Sequence, residues 1–176
     1  MTQNILNAGL FILLSSFQSS IYDIQIQTVQ NDTVGMSAFG NKKILITTIN
    51  SVNPSATQLL FLDSIQNQDT SIKVIAVPAL DFGGVENNTA LSVLSTSLGL
   101  DFTIVKSSFV KKQAGSNQHP LFKWLTYVNE NSHFNNDADA IGQFFIVSKN
   151  GTLYSVLPPG VPNAILFQSL NQNMEQ

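Results

Sequence analysis

The chain has 176 residues, of which 43% are hydrophobic and 11% are charged, and its formal net charge is −3 at pH 7. These values fit a single domain with a proper core and exclude a disordered chain. All eight basic residues are lysines in runs no longer than two, which argues against nucleic acid as a partner, and the absence of cysteine excludes a disulfide scaffold and any cysteine-ligated metal site.

The first twenty residues differ in composition from the rest. Residues 8–14 read AGLFILL, and the small polar run SSFQSS follows. This order predicts a signal peptide or an N-terminal extension over residues 1–20, ahead of a domain over 21–176, although no lysine precedes Lys42. The alternative is a strand or helix that packs on the domain. We expect a periplasmic or secreted protein if the segment is a signal peptide, and a cytoplasmic one otherwise. The apolar run is too short for a membrane span.

The first half of the domain alternates between strand and helix patterns. Residues 22–28 and 33–37 flank a turn at Asn31-Asp32 and predict a hairpin. Residues 43–49 form a β-branched run typical of a buried strand. Pro54 suits the first turn of a following helix, whose apolar residues are Leu59, Leu62, Ile65 and, less regularly, Leu60. Residues 72–77 predict a second buried strand that stops at Pro78.

The second half continues the alternation. A glycine-bearing loop at 81–84 precedes a helix over Asn88–Leu98, which Gly99 is placed to end. We expect a short strand at 102–105, a short helix at 120–128 and a surface loop at 129–139. Strands at 144–148 and Leu153–Leu157 flank an Asn-Gly turn, and a helix closes the chain at Asn163–Asn171.

This order of elements predicts an α/β protein with a thioredoxin-like fold. A parallel βαβ unit followed by an antiparallel hairpin and a last helix builds a central mixed sheet flanked by helices. The first hairpin is an addition at the N-terminus. No internal repeat and no linker between domains is evident in the sequence.

Five segments carry a resemblance to the glutathione peroxidase family, from Ser20 to about Pro159. They are the opening 20–46, TINSVNPSATQL (48–59), VIAVPALDFGG (74–84), HPLFKWL (119–125) and FFIVSKNGTL (144–153). The third resembles the family's Phe-Pro-Cys-Asn-Gln-Phe-Gly-Gly segment, and the fourth its His-Pro-Leu-Tyr-Lys-Trp-Leu run. The resemblance implies the thioredoxin-like fold. The short segment between Leu125 and Phe144 resembles members that lack the oligomerisation loop, which implies a monomer.

The resemblance also implies a catalytic site that this chain has lost. The family reduces peroxides with a thiolate or selenolate of low pKa, whose anion is stabilised by Gln, Trp and Asn side chains, and a second thiol closes the cycle. On this chain the nucleophile position is Asn53, the Gln position is Asp81, and the Trp-Asn pair falls on Ala140 and Ile141. None of these side chains can supply the family's function. The resemblance therefore implies no catalytic residue, cofactor or metal.

Two functional hypotheses of different class follow. The first is a pseudoenzyme that acts as a binding module for an unknown protein or small ligand through the surface around Asn53, Asp81 and Phe82, which predicts a shallow, uncharged or apolar patch. The alternative is an enzyme: a peroxidase of the oxidative-stress response, as the family implies, or a different activity at the Asp81 loop. That alternative predicts a pocket in which Asp81 faces a partner donor.

The two histidines and the aromatic residues of HPLFKWL have simpler interpretations. His119 is expected to play a structural role at the start of a helix. His133, with Asp137 and Asp139 nearby, matches the spacing of no established metal site. Phe122 and Trp124 are expected to pack in the core, with a surface contact patch as the alternative.

Overall fold

A computed structural model describes residues 19–172, and this part of the chain begins with a capped turn that leads into a hairpin. The Ser20 hydroxyl accepts a hydrogen bond from the Tyr22 amide at the head of a 3₁₀ turn over Ile21–Asp23. Strands β1 (Gln25–Gln27) and β2 (Thr33–Gly35) then pair antiparallel. The predicted hairpin is confirmed. Residues 1–18 of the predicted signal peptide or extension lie outside the described residues.

The central sheet contains five strands. In chain order they are β3 (Lys43–Asn50), β4 (Ile72–Ala79), β5 (Thr103–Ile104), β6 (Phe144–Val147) and β7 (Leu153–Leu157). Their order across the sheet is β5-β4-β3-β6-β7. β3 pairs parallel with β4 and β4 parallel with β5, whereas β6 is antiparallel to both β3 and β7. The sheet is therefore mixed, as predicted.

Five α-helices lie within residues 19–172. They are α1 (Ala56–Gln68), α2 (Asn88–Leu98), α3 (Pro120–Thr126), α4 (Val128–Asn131) and α5 (Asn163–Asn171). Gly99 ends α2 at a φ of 63°, in the left-handed region that favours glycine. No helix within residues 19–172 is both long and apolar enough to cross a bilayer.

The buried apolar residues form two clusters, because the sheet strands carry apolar side chains on both faces. One cluster joins Ile46 and Val77 of the sheet to Phe122 and Leu125 of α3. The other joins Leu45 and its strand neighbours to helices α1, α2 and α5, including Leu59 and Leu166. Helices thus cover both faces, which confirms the α/β, thioredoxin-like arrangement predicted from the order of elements.

Two prolines differ from their predicted roles. Pro54 lies before α1 rather than in its first turn, because the Ser55 side chain accepts from the Gln58 amide and caps the helix. Pro78 lies within β4 rather than ending it. The Pro78 carbonyl accepts from the Ser108 amide beyond the end of β5, and on that neighbouring segment the Lys106 carbonyl accepts from the Ser108 hydroxyl.

The segment after Pro120 is less regular than predicted. The predicted helix over 120–128 breaks at Tyr127, which is extended and joins α3 to α4. The predicted surface loop over 129–139 is wrong at Asn131 and Ala138, both of which are buried. The Asn131 carboxamide accounts for its burial: it donates to the Trp124, Leu125 and Phe134 carbonyls and accepts from the His133 and Phe134 amides.

Candidate functional site

Asn53 lies in the turn between β3 and α1. The Asn50 side chain accepts hydrogen bonds from the Val52 amide at 2.8 Å and the Asn53 amide at 2.9 Å. This local pattern is typical of an Asx turn and fixes the backbone before the Ser55 cap begins the helix. The Asn53 side chain is exposed. The sequence therefore places a carboxamide at the surface where the family resemblance implies a nucleophile.

A cavity of about 260 Å³ lies beside Asn53, between this turn and the first part of α2. Its walls are Val52, Asn53, Pro54, Asn87, Ala90, Leu91 and Leu94. None of the side chains that line it is charged. The two carboxamides provide its polar groups, and Val52 is 49% exposed at its edge. The cavity is suited to an uncharged group that has both apolar and hydrogen-bonding parts.

The end of β3 also packs closely against the glycine-bearing loop. A Cβ atom on Gly84 would lie 2.3 Å from the Ser51 hydroxyl and 2.5 Å from the Ala79 carbonyl oxygen. Ser51 is fully buried, and its hydroxyl has no hydrogen-bond partner in the described part of the chain. A glycine is therefore required at position 84, because the backbone of this loop packs directly against the end of β4 and the end of β3, which is close in sequence to Asn53.

Asp81 is used to position the main chain. Its carboxylate accepts hydrogen bonds from the Val110 amide and, at 3.2 Å, from the Lys111 amide. It lines a second cavity of about 340 Å³ together with Phe109, Gln113, Ala114 and Asn117. Asn53 is not part of that lining. Two of the acceptor sites of this half-buried carboxylate are therefore occupied by backbone donors, which ties the 81–84 loop to the segment after β5.

Ala140 and Ile141 are held by the main chain rather than presented as donors. The Thr48 hydroxyl donates to the Ala140 carbonyl at 2.8 Å, and the Gly142 amide lies 3.1 Å from the same hydroxyl oxygen. The Ile141 side chain packs against the core. Within residues 19–172, no hydrogen bond joins Asn53, Asp81 and the 140–141 segment to one another.

The His119 imidazole caps α3, as predicted. Its Nδ1 atom accepts from the Leu121 amide at 3.2 Å. Desolvation by burial lowers the pKa of His119 from 6.5 to about 4, so the ring is neutral at pH 7. Phe122 and Trp124 are buried, which confirms the core interpretation over the contact patch.

The HFNNDAD stretch forms a folded turn. His133 Nδ1 lies 2.8 Å from the Asn131 carbonyl oxygen, and the Asp137 carboxylate accepts from the Lys112 and Ala138 amides. Across residues 19–172, no group of three or more histidine, aspartate or glutamate side chains is placed to hold a metal ion.

Sequence reasoning missed Thr48 and the partners of Asp81. Threonine is common in strands, so the pattern KILITTI contains no signal for a side chain that fixes a segment 92 positions later. The contact of Asp81 with the Val110 amide depends on the pairing of β4 with the chain after β5, which only the tertiary structure defines.

Comparison with known proteins gives one sequence relative and a set of similar folds. Glutathione peroxidase 1 of Caenorhabditis elegans is 30% identical over 125 residues, and the match covers 68% of this chain and 74% of the relative. No family model matches the chain.

Solved structures show the same fold at low identity. T. cruzi GPX1 has a TM-score of 0.64 and 18% identity, covering 86% of this chain and 94% of that chain. A thiol-disulfide isomerase from Corynebacterium glutamicum has a TM-score of 0.60 and 12% identity, covering 90% and 97%. At these identities, the structural likeness concerns the fold alone.

Proposed function

Since this chain belongs to the glutathione peroxidase family, we propose that it is a member that has lost thiol peroxidase activity and acts as a non-catalytic binding module. The observation that carries the proposal is the cavity beside Asn53. A carboxamide and an uncharged lining that mixes polar and apolar groups lie at the position of the family's nucleophile. Removing the nucleophile removes the mechanism, because no covalent oxidised intermediate forms without a thiolate or selenolate.

The other family positions support the same proposal. The Asp81 carboxylate accepts from two main-chain amides, and the Ala140 carbonyl accepts from Thr48. Neither arrangement offers a hydrogen-bond donor to an anion beside Asn53. A new activity at the Asp81 loop has less support, because one carboxylate oxygen of Asp81, Oδ2, already accepts from two backbone amides and holds the chain in place.

The lining residues define the class of ligand that this surface favours. Pro54, Ala90, Leu91 and Leu94 supply apolar contact, and the two carboxamides supply one or two hydrogen bonds. We therefore propose that the cavity takes an uncharged group with one apolar face and one amide-like edge, presented by a small molecule or by a protein side chain.

Peroxide consumption tests the loss of activity. We would compare the native chain, Asn53→Cys, and Asn53→Cys with Asp81→Gln, each with glutathione or thioredoxin as reductant. We expect no turnover by the native chain and partial rescue in the double variant. Turnover by the native chain would contradict the proposal. Because Asp81 also holds the backbone, the unfolding midpoint of each variant must be measured beside its activity.

Binding is tested separately with benzamide, an uncharged ring that carries a carboxamide. We expect saturable shifts in the amide resonances of residues 52–54 and 87–94, and loss of those shifts in Ala90→Phe, which fills the cavity. Val93→Phe on the exposed part of the same helix is the matched control and should bind as the native chain does. Unchanged resonances in the native chain would contradict the proposed site.

We also propose that the protein is a monomer. The basis is the resemblance to family members that lack the oligomerisation loop between Leu125 and Phe144. Light scattering during size exclusion measures the mass in solution. A mass near 19.2 kDa is expected for the full chain, and a multiple of it would contradict the proposal.

Export is a further part of the proposal. It depends on the apolar run at 8–14 and the polar run after it, which are typical of a signal peptide. N-terminal sequencing of the protein purified from its native cells tests it. A mature chain that begins near residue 20 is expected, and an intact N-terminus would contradict export by this route.

A further inference from the structure

We propose that a third cavity, between β1, the chain after β5 and the start of α3, binds a small zwitterion whose ammonium and carboxylate groups are adjacent, as in a free amino acid. The cavity has a volume of about 370 Å³. The argument uses five of its lining side chains: Glu86, Asn88, Lys106, Ser107 and His119. None of its lining residues lines the cavity beside Asn53, so the inference is independent of the proposed function.

Hydrogen bonds fix the walls of this cavity. The Lys106 amide donates to the Gln27 carbonyl at 2.8 Å, which joins the chain after β5 to β1. The Ser107 amide donates to the Asn88 side chain at 2.7 Å, which joins it to the first residue of α2. The His119 amide donates to the Phe109 carbonyl at 2.8 Å. The backbone that carries these polar side chains is thus held in place before any ligand arrives.

Two uncharged donors that belong to lining residues have no partner of their own within residues 19–172. The Ser107 hydroxyl is buried and has no hydrogen-bond partner within residues 19–172. The His119 Nδ1 atom accepts from the Leu121 amide, so the neutral ring carries its proton on Nε2. No acceptor for that N–H lies within the described residues. A buried hydroxyl without a partner is costly unless something occupies the space beside it.

Opposite charges complete the site. Lys106 is half-buried, and its ammonium makes no hydrogen bond or ion pair within the described part of the chain. The Glu86 carboxylate is oriented by the Asn88 side chain, which donates to it at 2.8 Å. With a neutral His119, one positive and one negative group face the cavity. A net-neutral site with both charges favours a zwitterion over a simple anion, because Glu86 would repel an anion that lacks an ammonium group.

The cavity size and the donor arrangement limit the ligand further. About 370 Å³ lies at the small end of the roughly 300–1,000 Å³ found for ligand sites. Lys106, Ser107 and His119 supply donors for a carboxylate, and Glu86 accepts from an ammonium. Because the volume is small, a compact amino acid fits better than one with a large side chain.

Titration with L-alanine, acetate and ethylamine tests the inference on the full chain. Nuclear magnetic resonance would follow the amides of residues 86–88, 105–108 and 119–121. We expect saturable binding of alanine at millimolar concentration or below, and binding of acetate and ethylamine weaker by about tenfold or more, since each makes only one of the two charged contacts. No saturable binding of alanine up to about 50 mM, or acetate binding as tightly as alanine, would overturn the proposal.

Variants separate the site from general charge effects. Lys106→Met and Glu86→Gln should each weaken alanine binding by about tenfold. The matched controls, Lys123→Met and Asp32→Asn, change exposed charges elsewhere and should bind alanine as the native chain does. Equal affinity in Lys106→Met, Glu86→Gln and the native chain would overturn the assignment.

Ser107→Ala distinguishes a role of the Ser107 hydroxyl in binding from a role in the fold, because alanine binding and the unfolding midpoint are both measured. Because the Ser107 hydroxyl has no partner within residues 19–172, its removal should leave the unfolding midpoint unchanged or slightly raised, while alanine binding weakens severalfold. Destabilisation with unchanged binding would show that the hydroxyl serves the fold alone and would overturn its role in the site.

Discussion

The Thr48 hydroxyl donates a hydrogen bond to the Ala140 carbonyl at 2.8 Å and lies 3.1 Å from the Gly142 amide. One side chain in β3 thereby holds the segment that precedes β6. The family resemblance places a Trp-Asn pair on that segment, and here a buried threonine fixes the backbone that would carry it. The connection is a structural one, and it predicts a stability effect rather than an effect on chemistry.

Thr48→Val should destabilise the protein by about 1–3 kcal/mol, because the Ala140 carbonyl loses its donor while the shape of the side chain is kept. Thr47→Val is the matched control. Thr47 is equally buried, but its hydroxyl makes only a long contact of 3.4 Å with the Thr48 carbonyl oxygen. Thr47→Val should therefore destabilise the protein less than Thr48→Val does. Urea unfolding measures both, and an equal cost for the two would contradict the role given to Thr48.

Asp81→Ala should destabilise the protein by about 1–3 kcal/mol, since two main-chain amides lose a charged acceptor. Asp81→Asn keeps one acceptor oxygen and should cost less. Hydrogen exchange at the Val110 and Lys111 amides locates the effect, and we expect faster exchange there in the Ala variant. Asp101→Ala, at an exposed carboxylate, is the control. Unaltered exchange at 110 and 111 would contradict the assignment.

Asn131→Ala should cost about 3 kcal/mol or more, because three carbonyls and two amides lose their partner in a buried place. Asn131→Asp should be at least as damaging, since it replaces the donor to the three carbonyls with an acceptor. Asn129→Ala, an exposed asparagine of the same helix, should be near neutral. Thermal unfolding separates them, and a neutral Asn131→Ala would refute the network.

Gly84→Ala should prevent stable folding or cost several kcal/mol, because its Cβ would meet the Ala79 carbonyl oxygen at 2.5 Å. Its neighbour provides the comparison. Gly83 has a φ of 74° and open space around it, so Gly83→Ala should cost only about 1 kcal/mol of backbone strain. Soluble expression and urea unfolding report the difference, and a Gly84→Ala variant as stable as Gly83→Ala would argue against the close packing.

The folded state should lose stability on acidification because of His119. Burial lowers the pKa of its imidazole from 6.5 to about 4, so the unfolded chain binds more protons between these values. The contribution of neutral His119 to the free energy of unfolding is fully present above pH 6.5. It is lost as the pH falls towards 4, and the loss amounts to up to about 3 kcal/mol. Protonation also removes the Nδ1 acceptor from the Leu121 amide.

Urea unfolding across this pH range measures the effect of His119. In His119→Asn the carboxamide oxygen can still cap α3 and nothing titrates, so the slope of stability against pH should become shallower. His133→Ala, at the exposed histidine, should leave the slope in place. A slope that persists in His119→Asn would assign the pH dependence to other groups.

The local patterns of the sequence predicted most of the fold. The helices Asn88–Leu98 and Asn163–Asn171 and the strand Leu153–Leu157 begin and end where the apolar spacing and the turn residues placed them. The prediction that the second strand stops at Pro78 was wrong, because the cost of a missing N–H depends on which neighbour the strand faces at that position. The prediction that Asn131 lies in a surface loop was wrong, because a polar residue enters the core only when several backbone groups converge on it.

The candidate site was predictable in one respect. The sequence predicted a glycine-bearing loop at 81–84, and Asp81 lies in a turn directly after β4. The hydrogen-bond partners of Asp81 and Ala140 could not be predicted from the sequence, because the Val110 amide and the Thr48 hydroxyl come from distant parts of the chain. The buried Ser107 hydroxyl was missed for the same reason.

The indole N–H of Trp124 donates to the Ser19 carbonyl at 2.9 Å. Trp124 is the single tryptophan of the chain, so its fluorescence emission reports on one place only. A mature protein trimmed beyond residue 19 would leave this buried N–H without its acceptor, and the emission should shift in response. The molecule thus contains its own optical reporter of where its N-terminus is processed.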